Sequence, residues 1–128
     1  MRLLLDTNRY RDFCEGEAAA VDIIQRARVI YLPFVVLAEL RSGFLCGTLA
    51  RRNEKSLTIF LNSERVRVLL ADEETTHHFA RIFAQLRLQG TPIPVNDIWI
   101  AALAVQHDLL LFTRDGHFDC LPQVARCD

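Results

Sequence analysis

Short apolar runs alternate with longer stretches of helical spacing along this chain, and that alternation predicts its architecture. Arg2 to Leu5 is apolar and stops at Asp6-Thr7-Asn8, the pattern of a first strand running into a polar loop and then a helix. Ala18 to Ala27 has helical composition, and Val29-Ile30-Tyr31-Leu32 follows as a second strand closed by Pro33. Phe34 to Ser42 reads as a helix with Val35, Ala38 and Ser42 on one face, Glu39 at its edge and Gly43 as its stop. A second helix of the same arm is expected from Leu49 to Leu61. Val66 to Leu70 predicts a third strand, and Asp72-Glu73-Glu74 the acidic first turn of a helix reaching about Gln89. After a loop with two prolines, Asn96 suits an N-cap. Ile98, Ala101, Ala102 and Val105 recur at helical spacing, so Asp97 to His107 is expected to be a helix with a small, closely packing face. Leu109 to Thr113 predicts a fourth strand.

Strands alternating with helices predict the α/β class, here a single domain over residues 1–128: a parallel sheet of about four or five strands with helices on both faces. In such sheets ligands bind beyond the carboxyl ends of the strands, where the strand order reverses. Asp6 and Asp115 follow predicted strands, while Glu39 and Asp97 lie near helix starts that follow strands or loops. Four acids far apart in the chain are thus all expected at one edge, lining one pocket.

Composition narrows the picture. The chain has 128 residues, 51% hydrophobic, enough for one continuous core, and no repeat or Pro/Gly/Ser linker marks a second domain. Its opening apolar run is too short for a signal peptide, and the longest, Val29 to Ala38, is too short to span a bilayer. A soluble, cytoplasmic protein without a membrane partner is expected. Cys14, Cys46, Cys120 and Cys127 form no C-x-x-C pair and have no histidine at zinc-ligand spacing, which predicts reduced, mostly buried thiols. A formal net charge of -1 argues against tight, non-specific binding of nucleic acid by bulk charge. Lys55 is the only lysine among 15 basic residues, and arginine forks suit bidentate phosphate contacts; a GC-rich genome gives the same bias.

Taken singly, Asp6 reads as a turn or helix cap, Asp97 as a first-turn residue and Asp115-Gly116 as a turn. Glu39 is harder to place, because it interrupts Phe34-Val35-Val36-Leu37-Ala38 and Leu40, where an unpaired carboxylate is costly. Brought together in a partly desolvated pocket, four ionised carboxylates repel, each close pair costing on the order of a few kcal/mol. Protonation offsets that repulsion, and so does a hard divalent cation with oxygen ligands. Without a cysteine or histidine ligand set, Mg²⁺ or Mn²⁺ is favoured. Such an ion grips a phosphate oxygen and lowers the pKa of a bound water, which is the chemistry of metal-dependent nucleases.

Four segments in order, Leu3-Leu4-Leu5-Asp6-Thr7-Asn8, Val36-Leu37-Ala38-Glu39-Leu40, Asn96-Asp97 with Ile100-Ala101-Ala102, and Leu111-Phe112-Thr113-Arg114-Asp115-Gly116-His117-Phe118, cover nearly the whole chain. Together they resemble the PIN-domain ribonucleases and, within them, the VapC toxins of toxin–antitoxin pairs. The resemblance implies a PIN-like fold and an endoribonuclease that leaves a 5′ phosphate and a 3′ hydroxyl. It also implies Mg²⁺ or Mn²⁺ held by Asp6, Glu39, Asp97 and Asp115, which are then the catalytic acids, with Thr7, Asn8, Asn96 and Thr113 orienting them. A cognate antitoxin protein, an RNA substrate and a homodimer are implied as partners. The sequence departs from the family in two places: Arg9-Tyr10-Arg11 replaces the usual apolar continuation, and His117 stands where some relatives carry another acid.

Arg9, Arg41, Arg114 and His117 are candidate substrate contacts; for the arginines the plainer expectation is a surface ion pair, with Asp12 and Glu15 near Arg9 and Arg11. His77-His78 is expected on a solvated helix face, and Trp99 and Phe118 in the core. A haloacid-dehalogenase-like enzyme would need a second Asp where Asn8 stands, and a receiver domain a lysine where Arg114 stands. The remaining alternative is a non-catalytic PIN-like scaffold that binds RNA or protein.

Overall fold

The computed structural model describes residues 1–127. Its strands β1 (Arg2–Leu5), β2 (Val29–Pro33), β3 (Val66–Leu69) and β4 (Leu110–Phe112) form one parallel sheet in the order β3-β2-β1-β4. Helices α1 (Thr7–Cys14) and α2 (Ala18–Arg26) connect β1 to β2, and α3 (Phe34–Cys46) and α4 (Ala50–Leu61) connect β2 to β3. The chain then returns across the sheet to β4 through α5 (Glu73–Gln89) and α6 (Val95–His107), and a short 3₁₀ helix, Gly116–Cys120, follows. Right-handed crossovers put α1 to α4 on one face and the returning pair α5 and α6 on the other. The strand order therefore reverses between β1 and β4.

This is the expected PIN-like α/β architecture. Leu3, Leu4 and Leu5 of the central strand are fully buried because helices cover both faces there, whereas Arg67 and Val68 on the edge strand β3 are exposed. Beyond β4 the chain forms a rudiment of a fifth strand. Leu111 N–H donates to Ala125 O at 2.8 Å and Cys127 N–H to Leu111 O at 2.9 Å, which shields the open edge of β4. Trp99 of α6 packs against Phe34 of α3 and Phe79 of α5, tying the two layers together, and Phe118 is buried as expected. Among the described residues no helix is long and apolar enough to cross a membrane.

Several local expectations fail for physical reasons. Asp6-Thr7-Asn8 is no loop: Asp6 is the N-cap of α1 and its carboxylate accepts the Thr7 N–H, so the polar triplet opens the helix directly. Gly43 does not stop α3, which continues to Cys46; a side chain at Gly43 would come 3.2 Å from the Arg11 guanidinium, so the glycine gives that arginine room. In the same helix Ala38 and Ser42 are exposed, and the buried stripe runs through Val36 and Leu40 with Val35 and Leu37 beside it. Pro94 rather than Asn96 caps α6, its carbonyl accepting the Asp97 and Ile98 N–H groups, which leaves the Asn96 side chain available to the site. The thiols are not mostly buried. Cys14 and Cys46 end helices and are exposed, while Cys120 and Cys127 are half-buried near the chain's end.

Leu103 lies fully buried in the apolar face of α6. Truncation to alanine leaves a cavity there, so Leu103→Ala is expected to lower stability by about 2–5 kcal/mol in urea unfolding.

Candidate active site and metal centre

The site starts from the pairing of the two strands at the switch point. Leu5 stands opposite Phe112, and the Asp6 N–H extends that ladder by donating to Phe112 O at 3.1 Å. Side chains leaving β1 and β4 at this end therefore emerge next to each other. Asp6 Oδ1 accepts the Thr7 N–H at 2.8 Å and Asp6 Oδ2 accepts the Thr113 hydroxyl at 2.7 Å. Thr113 Oγ1 in turn accepts the Asp115 N–H at 2.9 Å and Asn8 Nδ2 at 3.4 Å, while Asn8 Oδ1 accepts the Arg114 N–H at 3.1 Å. The loop after β4 is thus stitched to the first turn of α1.

Glu39 reaches the same end from α3. The Thr7 hydroxyl donates to its Oε2 at 2.5 Å and Asn96 Nδ2 to its Oε1 at 3.5 Å. Asp97, buried in the first turn of α6, has its Oδ2 2.7 Å from His117 Nδ1, which lies 3.0 Å from Asp115 Oδ1. Asp115 also caps the 3₁₀ helix by accepting the His117 N–H at 2.9 Å. All four acids are therefore joined through Thr7, Thr113, Asn96 and His117. The tightest group of donor atoms holds one oxygen each of Asp97 and Asp115 and a His117 ring nitrogen, all within 4.8 Å of one another.

Electrostatics agrees with this convergence. Burial is the main reason the Asp6 carboxyl is pushed above the usual range, and the charges of Glu39 and Asp115 add to it against the Thr113 and Thr7 hydrogen bonds. Asp97 is raised chiefly by burial too, then by Asp115 and Asp6, with His117 opposing. His117 is itself raised, first by its hydrogen bond to Asp97 and then by Asp115.

The candidate substrate arginines are engaged elsewhere. Arg41 pairs with Glu54 at 3.0 Å, as the surface ion-pair expectation has it. Arg114 makes a fork to Asp12 at 2.7 and 2.9 Å, and Arg9 donates to the same carboxylate at 3.2 Å while its guanidinium lies 4.6 Å from the Phe112 ring centre. Asp12 is buried rather than at the surface, and these two arginines hold its carboxyl below the usual range, Arg114 first. Its pairing with Arg114, 102 residues away, had no local signal in the sequence. The four acids lie outside both the cavity of about 910 Å³ between α1, α3 and α4 and the smaller one of about 270 Å³ beside the α5–α6 turn.

The PIN domain family model matches residues 3–123. The chain belongs to the PIN-domain family. Within it, this PIN domain is 32% identical over 90 residues to Ribonuclease VapC4 of Mycobacterium tuberculosis, a match covering 70% of the chain and 69% of the relative. Among solved structures it is similar to VapBC-1 of nontypeable Haemophilus influenzae, with a TM-score of 0.85, 26% identity and coverage of 100% of this chain and 98% of that one. It is also similar to VapBC-5 of Mycobacterium tuberculosis, described as a member of the VapBC family of toxin-antitoxin systems, with a TM-score of 0.72, 27% identity and coverage of 97% and 93%. The PIN domain is thus VapC-like.

Raised carboxyls have a signed consequence. Between the unfolded and the folded pKa of Asp97 the folded state binds more protons, so its stability falls as pH rises through that window. In metal-free buffer near pH 7.5, Asp97→Asn is expected to melt above the wild type, and the gap should narrow as pH is lowered through the raised carboxyl range. Thermal melts across pH 4–8 check this; a mutant that melts below the wild type at neutral pH contradicts it.

Proposed function

We propose that the chain is a metal-dependent endoribonuclease, the toxin of a toxin–antitoxin pair, which cleaves RNA by attack of a metal-activated water on a phosphodiester. The observation that carries this reading is the convergence of Asp6, Glu39, Asp97 and Asp115 at the carboxyl ends of β1 and β4, in a chain whose relative is named a ribonuclease. The full acid set sets it apart from a PIN-like scaffold that only binds.

The donor set fits a divalent cation. It offers carboxylate oxygens, and the burial and mutual repulsion that raise Asp6 and Asp97 are relieved by a positive charge among them. Asp6, Glu39, Asp97 and Asp115 would hold Mg²⁺ or Mn²⁺. When bound, such an ion polarises the scissile phosphate and supplies a hydroxide-like water near neutral pH. The chain's own part is positional. Thr7 and Thr113 each fix one oxygen of an acid, Asn96 steadies Glu39 from α6, and Asn8 anchors the loop that carries Asp115. With Arg9 and Arg114 committed to Asp12, this edge is rich in negative charge, and an RNA phosphate would be repelled there without a cation among the acids.

The solved relatives titled VapBC support an antitoxin protein as the partner of this chain, and a homodimer is proposed with it. The decisive experiment is cleavage of total RNA by the purified chain with Mg²⁺ or Mn²⁺. Cleavage with 5′-phosphate ends is expected, abolished by EDTA, restored by either ion and reduced about 100-fold or more in Asp97→Asn, in line with loss of a charge that acts on the reacting centre. Cleavage that persists unchanged in EDTA overturns the metal-dependent mechanism.

A further inference from the structure

We propose that His117 is a nitrogen ligand of the metal centre, and that it makes the site favour first-row transition ions over Mg²⁺. This role presupposes the metal-dependent activity proposed above and adds to it a donor that a purely acidic centre lacks. His117 Nδ1 lies 2.7 Å from Asp97 Oδ2 and 3.0 Å from Asp115 Oδ1. Neighbouring ligand atoms on an octahedral ion with bonds of about 2.1 Å are about 3.0 Å apart. The ring nitrogen therefore already stands at the spacing of a neighbouring donor from each of the two oxygens, and all three atoms lie within 4.8 Å of one another.

The ring is held from both sides. Its backbone N–H is fixed by Asp115 at 2.9 Å, its carbonyl accepts the Cys120 thiol at 3.1 Å, and the next residue, Phe118, is buried in the core. Among the described residues, His117 is also the one basic side chain whose ion pairs reach any of the four acids; Arg9 and Arg114 pair with Asp12, and Arg41 with Glu54. A ring that merely bridges two carboxylates by hydrogen bonds would be displaced by an entering cation, whereas a ring that releases its Nδ1 proton to solvent would offer the freed lone pair to the ion from the same position. Imidazole nitrogen raises the affinity of an oxygen site for ions later in the Mn²⁺ to Zn²⁺ series and does little for Mg²⁺, which keeps to oxygen.

The test uses metal alone, with no RNA. Pulsed electron paramagnetic resonance on the Mn²⁺-loaded chain reads whether ¹⁴N couples to the ion, and calorimetric titrations give Mn²⁺ and Mg²⁺ affinities for the wild type, His117→Ala and His117→Asp. A ¹⁴N coupling is expected in the wild type and in neither variant. His117→Ala should lose about tenfold or more in Mn²⁺ affinity but less than about twofold in Mg²⁺ affinity, and His117→Asp should bind Mg²⁺ at least as tightly as the wild type. Mn²⁺ bound without nitrogen coupling, a coupling that survives in His117→Ala, or an unchanged Mn²⁺ to Mg²⁺ ratio in that variant overturns the ligand role and leaves the acidic metal centre standing. Absence of any Mn²⁺ binding by the wild type overturns both.

Discussion

A ring of hydrogen bonds through Thr7, Asn96, His117 and Thr113 holds the four acids, and the alignment of β1 with β4 closes it. Because Leu5 faces Phe112, Asp6 and Thr113 leave the sheet together, and the Thr113 hydroxyl meets Asp6 at 2.7 Å. A slip of one residue in β4 would turn Thr113 to the opposite face and misplace the buried side chains of that strand in the core on either side. Core packing of Leu3, Leu4, Leu5, Leu111 and Phe112 therefore fixes the geometry of the polar site without touching it.

The fold gathers like charges and keeps the nearest strong cations away from them. Asp12 takes up Arg114 in a fork and Arg9 in a third hydrogen bond, while Arg9 covers the face of Phe112 just beneath the site. A neighbourhood of mixed sign is thus sorted into a neutralised cluster beside an acidic one. Permanent neutralisation of the acids by arginine would leave no position for a mobile ion. The two arginines instead steady the loop after β4 and the first turn of α1, the elements that carry Asp115 and Asp6.

Much of this was legible in the residues. Strand and helix alternation gave the parallel sheet, because covered strands such as Leu3-Leu4-Leu5 are apolar throughout while the helices keep a polar side. The acids stood out for a related reason: Glu39 breaks an apolar helix face, and Asp6 and Asp115 follow apolar strands. What escaped were features set by contacts between distant segments. Gly43 carries the ordinary sign of a helix end, but Arg11 lies against it and α3 continues. Asn96 has the composition of a cap, yet Pro94 takes that place and Asn96 turns to Glu39. Asp12 looked like a surface partner of its helical neighbours until a residue 102 positions away arrived beside it. The place of His117 between two acids was equally hidden, because it depends on how α6 lies against the 3₁₀ helix.

The joining of Asp6 to Thr113, 107 residues further on, also constrains biosynthesis. On a ribosome the first strand emerges before the others, with its acid and the two helices that follow it, but β4 and the loop behind it are made after every other strand. Contacts of such large sequence separation form only after intervening segments have been ordered. A nascent chain halted before residue 110 holds Asp6, Glu39 and Asp97 but lacks the strand that brings the fourth acid alongside. The order of synthesis thus leaves the acidic set incomplete until β4 and the loop behind it have emerged.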